Sequence, residues 1–207
     1  MRKFVAFAVF AAALAGFASS RPVVAEDKKD NKDPEIKVPY VPTNQSVVEA
    51  MLKLAAVKEG ETVYDLGCGD GRIVITAVGQ FKAKKGLGVD FNPERLKDCE
   101  ESVKKAIADK KLTTDQAKTL TFKQGDVLKM TAEDFKDVDV VTLYLLPEVN
   151  KRLKPILQKG LKDGARVVSH DFDMGDDWKE DKKEEVKSER SYPHTIYLWT
   201  TPLKKEK

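Results

Sequence analysis

The sequence predicts an α/β fold: a doubly wound, mostly parallel sheet of seven strands whose C-terminal end is an antiparallel hairpin. Short apolar runs alternate with amphipathic stretches from Thr62 to Ser169, the pattern of parallel strands joined by crossover helices. Within it, the run Val63 to Ile75 ends an apolar strand on an acid, turns on glycines at alternate positions and starts a helix at once. The C-terminal part changes character, with Glu185 to Glu189 and Thr195 to Thr200 reading as paired strands around Tyr192-Pro193.

Order is expected from Val38. Pro39-Tyr40-Val41-Pro42-Thr43 is held extended, because each proline restricts itself and its predecessor. Thr43 or Asn44 can cap a helix whose apolar face is Val47, Val48, Met51, Leu52 and Ala55. Lys58-Glu59-Gly60 leads into the first strand, Thr62 to Leu66, followed by a helix from Arg72 to Gln80 and a strand from Gly86 to Asp90. Pro93 opens a long helix to about Ala108 with Leu96, Val103 and Ile107 on one face. Strands follow at Thr119 to Gln124, Val138 to Leu145 and Arg166 to Ser169, with a helix from Glu148 to Lys159 before the last of these. The charged run Asp176 to Glu185 around Trp178 is expected as a solvated loop.

Gly67, Gly69 and Gly71 permit backbone conformations and a close ligand approach that a Cβ would block. The helix after them points its free N–H groups into the same crevice. About twenty residues on, Asp90 ends the second strand, where an acid can hold the two hydroxyls of a ribose. The spacing is not that of a dinucleotide site, which needs G-x-G-x-x-G; Arg72 stands where the third glycine would fall. Asp65 can accept from a ligand ammonium or from the N–H groups of the turn. Phe91 either lies on a purine face or joins the core. Asp126 can accept from an exocyclic amino group beside an apolar wall that includes Val127. His170 with Asp171 and Asp173 is one imidazole and two acids, short of a third committed ligand, so no metal site is expected, and His194 is read as a strand-start residue without a catalytic part.

Met1-Arg2-Lys3 followed by the apolar run Phe4 to Phe17 reads as a secretory signal peptide over residues 1–25, with cleavage after Ala18 or Ala25. The run is too short to span a bilayer, which takes about twenty residues. An uncleaved leader anchoring the chain to a membrane, or an organelle transit peptide, is the alternative. Residues 26–37 form a charged linker expected to be disordered, and 38–207 the folded domain. Of the 37 basic residues, Arg2, Lys3 and Arg21 precede Ala25, and the remaining 34 equal the 34 acidic ones. The mature chain thus lacks the basic excess of a nucleic-acid binder. It is expected as an exported monomer with no membrane span. Cys68 and Cys99 have neither metal-site spacing nor a disulfide framework.

The D-x-G-x-G-x-G form of Asp65 to Gly71 resembles motif I of class I S-adenosylmethionine-dependent methyltransferases, and implies that methyl donor as cofactor. Together with Pro39 to Thr43, Val141 to Pro147 and Arg166 to Ser169, the chain resembles a smaller group of these enzymes. That group contains the lysine N-methyltransferases of the mitochondrial ATP synthase c subunit and adenine nucleotide translocase. The resemblance covers roughly Val38 to Thr201 and implies the seven-strand Rossmann-like methyltransferase fold and N-methylation of protein lysine. It also places the segment after strand four, Leu143 to Asn150, against the transferred methyl. That segment lacks the Asn/Asp-Pro-Pro-aromatic run of enzymes acting on base amines or glutamine. Tyr144 is the residue expected to orient the acceptor nitrogen, in a partly apolar channel suited to a lysine stem. A small-molecule methyltransferase and a non-catalytic envelope binder of S-adenosylmethionine or S-adenosylhomocysteine are the competing readings.

Overall fold

A computed structural model describes residues 40–188 and 192–202. The expected leader and charged linker lie outside the described residues. The sheet has seven strands in the order β3-β2-β1-β4-β5-β7-β6, with β1 Thr62–Leu66, β2 Lys85–Asp90, β3 Leu120–Gln124, β4 Val140–Leu143, β5 Arg166–His170, β6 Lys182–Val186 and β7 His194–Thr200. Strands β1 to β5 pair in parallel, and β7 runs antiparallel to both β5 and β6. The order reverses between β1 and β4, and the crevice of such a sheet lies outside the carboxyl ends of the strands at that point.

Alternation along each strand divides the core in two. On one face Val63, Val140, Val168, Ile196 and Leu198 pack with α1 (Gln45–Leu54), α2 (Arg72–Gly79) and the apolar side of α3 (Pro93–Ala108). On the other, Leu66, Val141, Leu143, Val167 and Trp199 pack with α5 (Pro147–Gly160), after the short α4 (Thr114–Ala117). Asn92 caps α3 by accepting from Glu94 N–H at 2.9 Å, ahead of Pro93. Asn44 holds the cap position of α1, but its side chain donates to Ser188 Oγ at 2.7 Å instead of capping.

The elements follow the expected order, with three differences. Strand β4 stops at Leu143, because Tyr144 to Leu146 turn away to begin α5. Two short 3-10 turns, Val127–Lys129 and Ala132–Phe135, and the capped turn of α4 were not expected; each is fixed by a local side-chain-to-backbone bond. Strand β6 begins at Lys182, within the run read as a solvated loop. As the edge of the sheet, Lys182 to Glu185 are exposed on both faces and so carry no apolar alternation, while their charges guard the free edge. In the same run Trp178 is buried, its carbonyl accepting from Trp199 Nε1 at 3.0 Å. Cys68 and Cys99 are both buried free thiols.

Candidate active site

All three glycines of the turn after β1 adopt positive φ, +81° at Gly67, +53° at Gly69 and +76° at Gly71, which a side chain would strain. Asp90 ties the turn to β2: its Oδ2 accepts from Gly69 N–H and its Oδ1 from Asn92 N–H, each at 2.9 Å. A carboxylate has about four acceptor positions, so two remain for hydroxyl donors. Phe91, next in the chain, is 64% exposed and therefore not core. Asp126 lies just past β3, beside Asp90, where Gly125 N–H donates to the Asp90 carbonyl at 2.9 Å. Asp126 Oδ1 accepts from Leu128 N–H at 2.9 Å, and Val127 is buried next to it.

Asp65 is buried on β1 and accepts from Thr142 Oγ1 of β4 at 2.6 Å. Burial pushes its carboxyl up to about 7; the Thr142 bond opposes this, and the nearby Asp90 and Asp70 charges add to it. Asp70 has the opposite balance. Burial alone would raise it, but Arg72, whose Nε reaches Oδ1 at 2.8 Å and Nη2 reaches Oδ2 at 2.5 Å, holds it below the usual carboxylate range. Arg72 Nη1 also donates to the Thr43 carbonyl at 2.8 Å, pinning the N-terminal segment across the turn.

That segment carries a residue the sequence reading did not place in the site. The Tyr40 ring lies against Gly69, with Arg95 over its face at 4.4 Å from the centroid. A hollow of about 290 Å³ beside it is lined by Tyr40, Asp70, Asp98, Glu101, Ser102 and Lys105. A larger open cavity of about 680 Å³ sits away from the turn, between α5 and the loop after β5, around Lys154, Asp177 and Trp178.

Tyr144 follows β4 and packs its ring against His170 of β5, ring centroids 3.9 Å apart and tilted by 34°, with Phe172 nearly parallel to it at 6.2 Å. Among the described residues no hydrogen bond engages its hydroxyl, and burial, with Asp171 and Tyr192 adding, raises its pKa so that it stays a phenol at neutral pH. His170 is buried and burial pushes it down to about 4, Asp171 opposing and His194 adding, so it is a neutral imidazole. Its Nδ1 meets Thr43 Oγ1 at 3.1 Å and its Nε2 meets His194 Nδ1 at 2.9 Å. Asp173 does not join this group; its Oδ1 accepts from Gly175 N–H at 2.8 Å. The pairing of His170 with His194 was missed, although both stand at strand ends on one sheet face, two residues from Val168 and Ile196 in the same core half.

A glycine turn at the switch point, a helix N-terminus behind it and acids ending β1 and β2 form a cradle that fits S-adenosylmethionine, and this fold and site define a class I S-adenosylmethionine-dependent methyltransferase. Residues 65–182 match the ANTKMT methyltransferase domain. The chain belongs to that family. A protein-lysine N-methyltransferase of Saccharolobus islandicus (strain REY15A) is 42% identical over 163 residues, 78% of this chain and 92% of that protein. The adenine nucleotide translocase lysine N-methyltransferase of Mus musculus is 32% identical over 139 residues, 67% of this chain and 55% of the relative, so the chain spans about half of that protein's length. Among solved structures, an RNA methyltransferase from Salinibacter ruber in complex with S-adenosyl-L-homocysteine is 42% identical with a TM-score of 0.64, covering 77% of this chain and 93% of that one. In the described residues no helix is long and apolar enough to cross a membrane.

Proposed function

We propose that this methyltransferase transfers the methyl group to the side-chain nitrogen of a lysine in a protein. The observation that carries the reading is the acceptor wall after β4: a half-buried Tyr144 ring packed against neutral His170, its hydroxyl uncommitted, followed by Leu145, Leu146 and Pro147. The 42% identity to a protein-lysine N-methyltransferase over most of both chains supports it. When bound, S-adenosylmethionine supplies a methyl on a sulfonium, a group already activated by its leaving tendency.

The chain's own residues then have to bind, align and exclude water. Gly67, Gly69 and Gly71 hold the positive-φ turn that presents its backbone to the ligand, and Asp90 takes the ribose hydroxyls. Phe91, Asp126 and Val127 receive the adenine, and Asp65 faces the amino-acid end. An apolar wall favours the neutral amine, whose lone pair attacks, over the ammonium. Tyr144 accepts a hydrogen bond from that amine and fixes its direction.

A second reading, methylation of RNA, is favoured by one observation, the equally identical structure from Salinibacter ruber described as an RNA methyltransferase. The segment Leu143 to Asn150 and the even charge balance beyond Ala25 argue against it. The test is incubation of the purified chain with methyl-labelled S-adenosylmethionine and either total protein or total RNA of its host, followed by hydrolysis. Label recovered as methyl-lysine supports the proposal; label confined to nucleosides overturns it.

A further inference from the structure

The chain contains two histidines, and both meet at one point. His170 Nε2 and His194 Nδ1 are 2.9 Å apart, His194 Nδ1 and Asp171 Oδ2 2.8 Å, and His170 Nε2 and Asp171 Oδ2 3.4 Å. Strand pairing builds this triangle. His170 sits opposite Ile196 on antiparallel β7, and His194 lies two residues earlier, on the same sheet face at the same end. Both imidazoles are buried, while the Asp171 side chain keeps 21% of its surface exposed and leaves a way in from solvent.

The dimensions are those of three ligands on one side of a metal ion. With bonds of about 2.1 Å, donor atoms stand about 3.0 Å apart in an octahedral arrangement and about 3.4 Å in a tetrahedral one. The longest edge, 3.4 Å, matches the tetrahedral value, and the other two, 2.8 and 2.9 Å, lie just under the octahedral one. Proton bookkeeping points the same way. In the tautomer where His170 Nδ1–H donates to Thr43 Oγ1, its Nε2 carries a lone pair, and one proton on His194 Nδ1 would have to serve both that lone pair and the carboxylate. A divalent cation satisfies all three at once.

The outer partners are also in place. Thr43 Oγ1 holds the other ring nitrogen of His170 and so sets the ring's orientation, and Asp171 Oδ1 accepts from Thr195 N–H at 3.0 Å, which sets the carboxylate's direction. Asp171 itself stands at φ +58°, held there by its own N–H donating to the Thr195 carbonyl at 2.7 Å. His170 at the end of β5 was one ligand short of a metal set in the sequence; His194, 24 residues away, supplies it.

We propose that His170, His194 and Asp171 bind a divalent first-row transition-metal ion, with zinc the best match to two imidazoles and one carboxylate. Magnesium and calcium prefer all-oxygen shells and are not expected there. The ion's role is positional. It ties the end of β5 to the start of β7 and, through Thr43, to the segment crossing the glycine turn. Because Tyr144 packs against His170, it also fixes the wall that faces the acceptor.

The test is cobalt(II) and zinc titration of the full chain after chelator stripping, and it does not depend on any methyl acceptor. Expected are one ion per chain, visible cobalt bands without a thiolate charge-transfer band, perturbation of both histidine ring nitrogens by NMR, and a higher Tm with zinc but not magnesium. His194→Ala and Asp171→Asn should each weaken cobalt binding by more than about 100-fold, the upper range for losing an outer-shell partner, while Asp173→Asn should not. Histidine signals unmoved by zinc in the unsubstituted chain would overturn the proposal whether or not the variants fold. So would a cobalt–thiolate band, which would place the ion at Cys68 and Cys99.

Discussion

Thr142 Oγ1 donates to Asp65 Oδ1 at 2.6 Å, across neighbouring parallel strands and out of contact with water. The bond stabilises the charged carboxylate but does not offset its burial, so the folded chain holds the Asp65 proton up to about pH 7. The groups facing it are Asp90, Asp70 and Cys68, none of them cationic. An unfolded Asp releases its proton near pH 4. Between the two values the native state binds more protons than the unfolded one, so this group destabilises the fold progressively as pH rises from about 4 to about 7. Asp65→Asn should therefore raise the Tm of the ligand-free protein at pH 8, by up to about 4 kcal/mol in stability, and give little gain at pH 4. Calorimetric scans at both pH values check it; an equal effect at the two would show that Asp65 does not titrate this way.

The same residue separates its two readings through binding. If Asp65 accepts from the ligand's ammonium, binding draws its pKa down and releases a proton below pH 7. Titration calorimetry of S-adenosylhomocysteine in two buffers of different ionisation enthalpy should detect that release at pH 6 and lose it in Asp65→Asn. Binding without proton release would assign Asp65 to holding the turn alone.

How much of this could be read from the sequence depends on the range over which each feature is built. The glycine turn, the acids ending β1 and β2 and the Pro93 helix start are written in adjacent residues, and each stands where it was expected. Thr142 on Asp65 and Thr43 on His170 join residues 77 and 127 positions apart, and no local periodicity records such pairs. Tyr40 was visible only as part of an extended proline-rich segment; its place over Gly69 comes from Arg72 pinning that segment. Strand β6 was misplaced for a different reason: an exposed edge strand buries neither face, so Lys182 to Glu185 look like any charged loop.

Asp90 holds two backbone N–H groups and keeps acceptor capacity for a ribose. Asp90→Ala should weaken S-adenosylhomocysteine binding by about 1–3 kcal/mol, the cost of stranding buried hydrogen-bond partners. Isothermal titration measures it, with circular dichroism to establish that the variant is folded. Unchanged affinity in a folded variant would remove Asp90 from the site.

Gly69 and Tyr40 are coupled by space. A Cβ at Gly69 would lie 2.4 Å from Tyr40 Cε2 at a φ of +53°. Gly69→Ala therefore has to displace the ring as well as bear about 1–2 kcal/mol of left-handed strain. In a double-mutant cycle by urea denaturation, Gly69→Ala should cost less in a Tyr40→Ala background than in the parent chain. Additive costs would mean that the ring moves aside freely.

Tyr144 and His170 form the last relationship with a consequence for turnover. Their rings are 3.9 Å apart, so the packing that places the Tyr144 hydroxyl survives in phenylalanine while the hydroxyl is lost. If the hydroxyl orients the acceptor amine, it acts on alignment in the transition state and not on the cofactor. Tyr144→Phe should then lower kcat by about 10- to 100-fold, leaving the dissociation constant of S-adenosylhomocysteine within about twofold of the parent. Tyr144→Ala should lose more, since it also opens the wall to water. Single-turnover assays on the acceptor identified by labelling, alongside calorimetry, make the comparison. Full activity in both variants would place the acceptor nitrogen away from the end of β4.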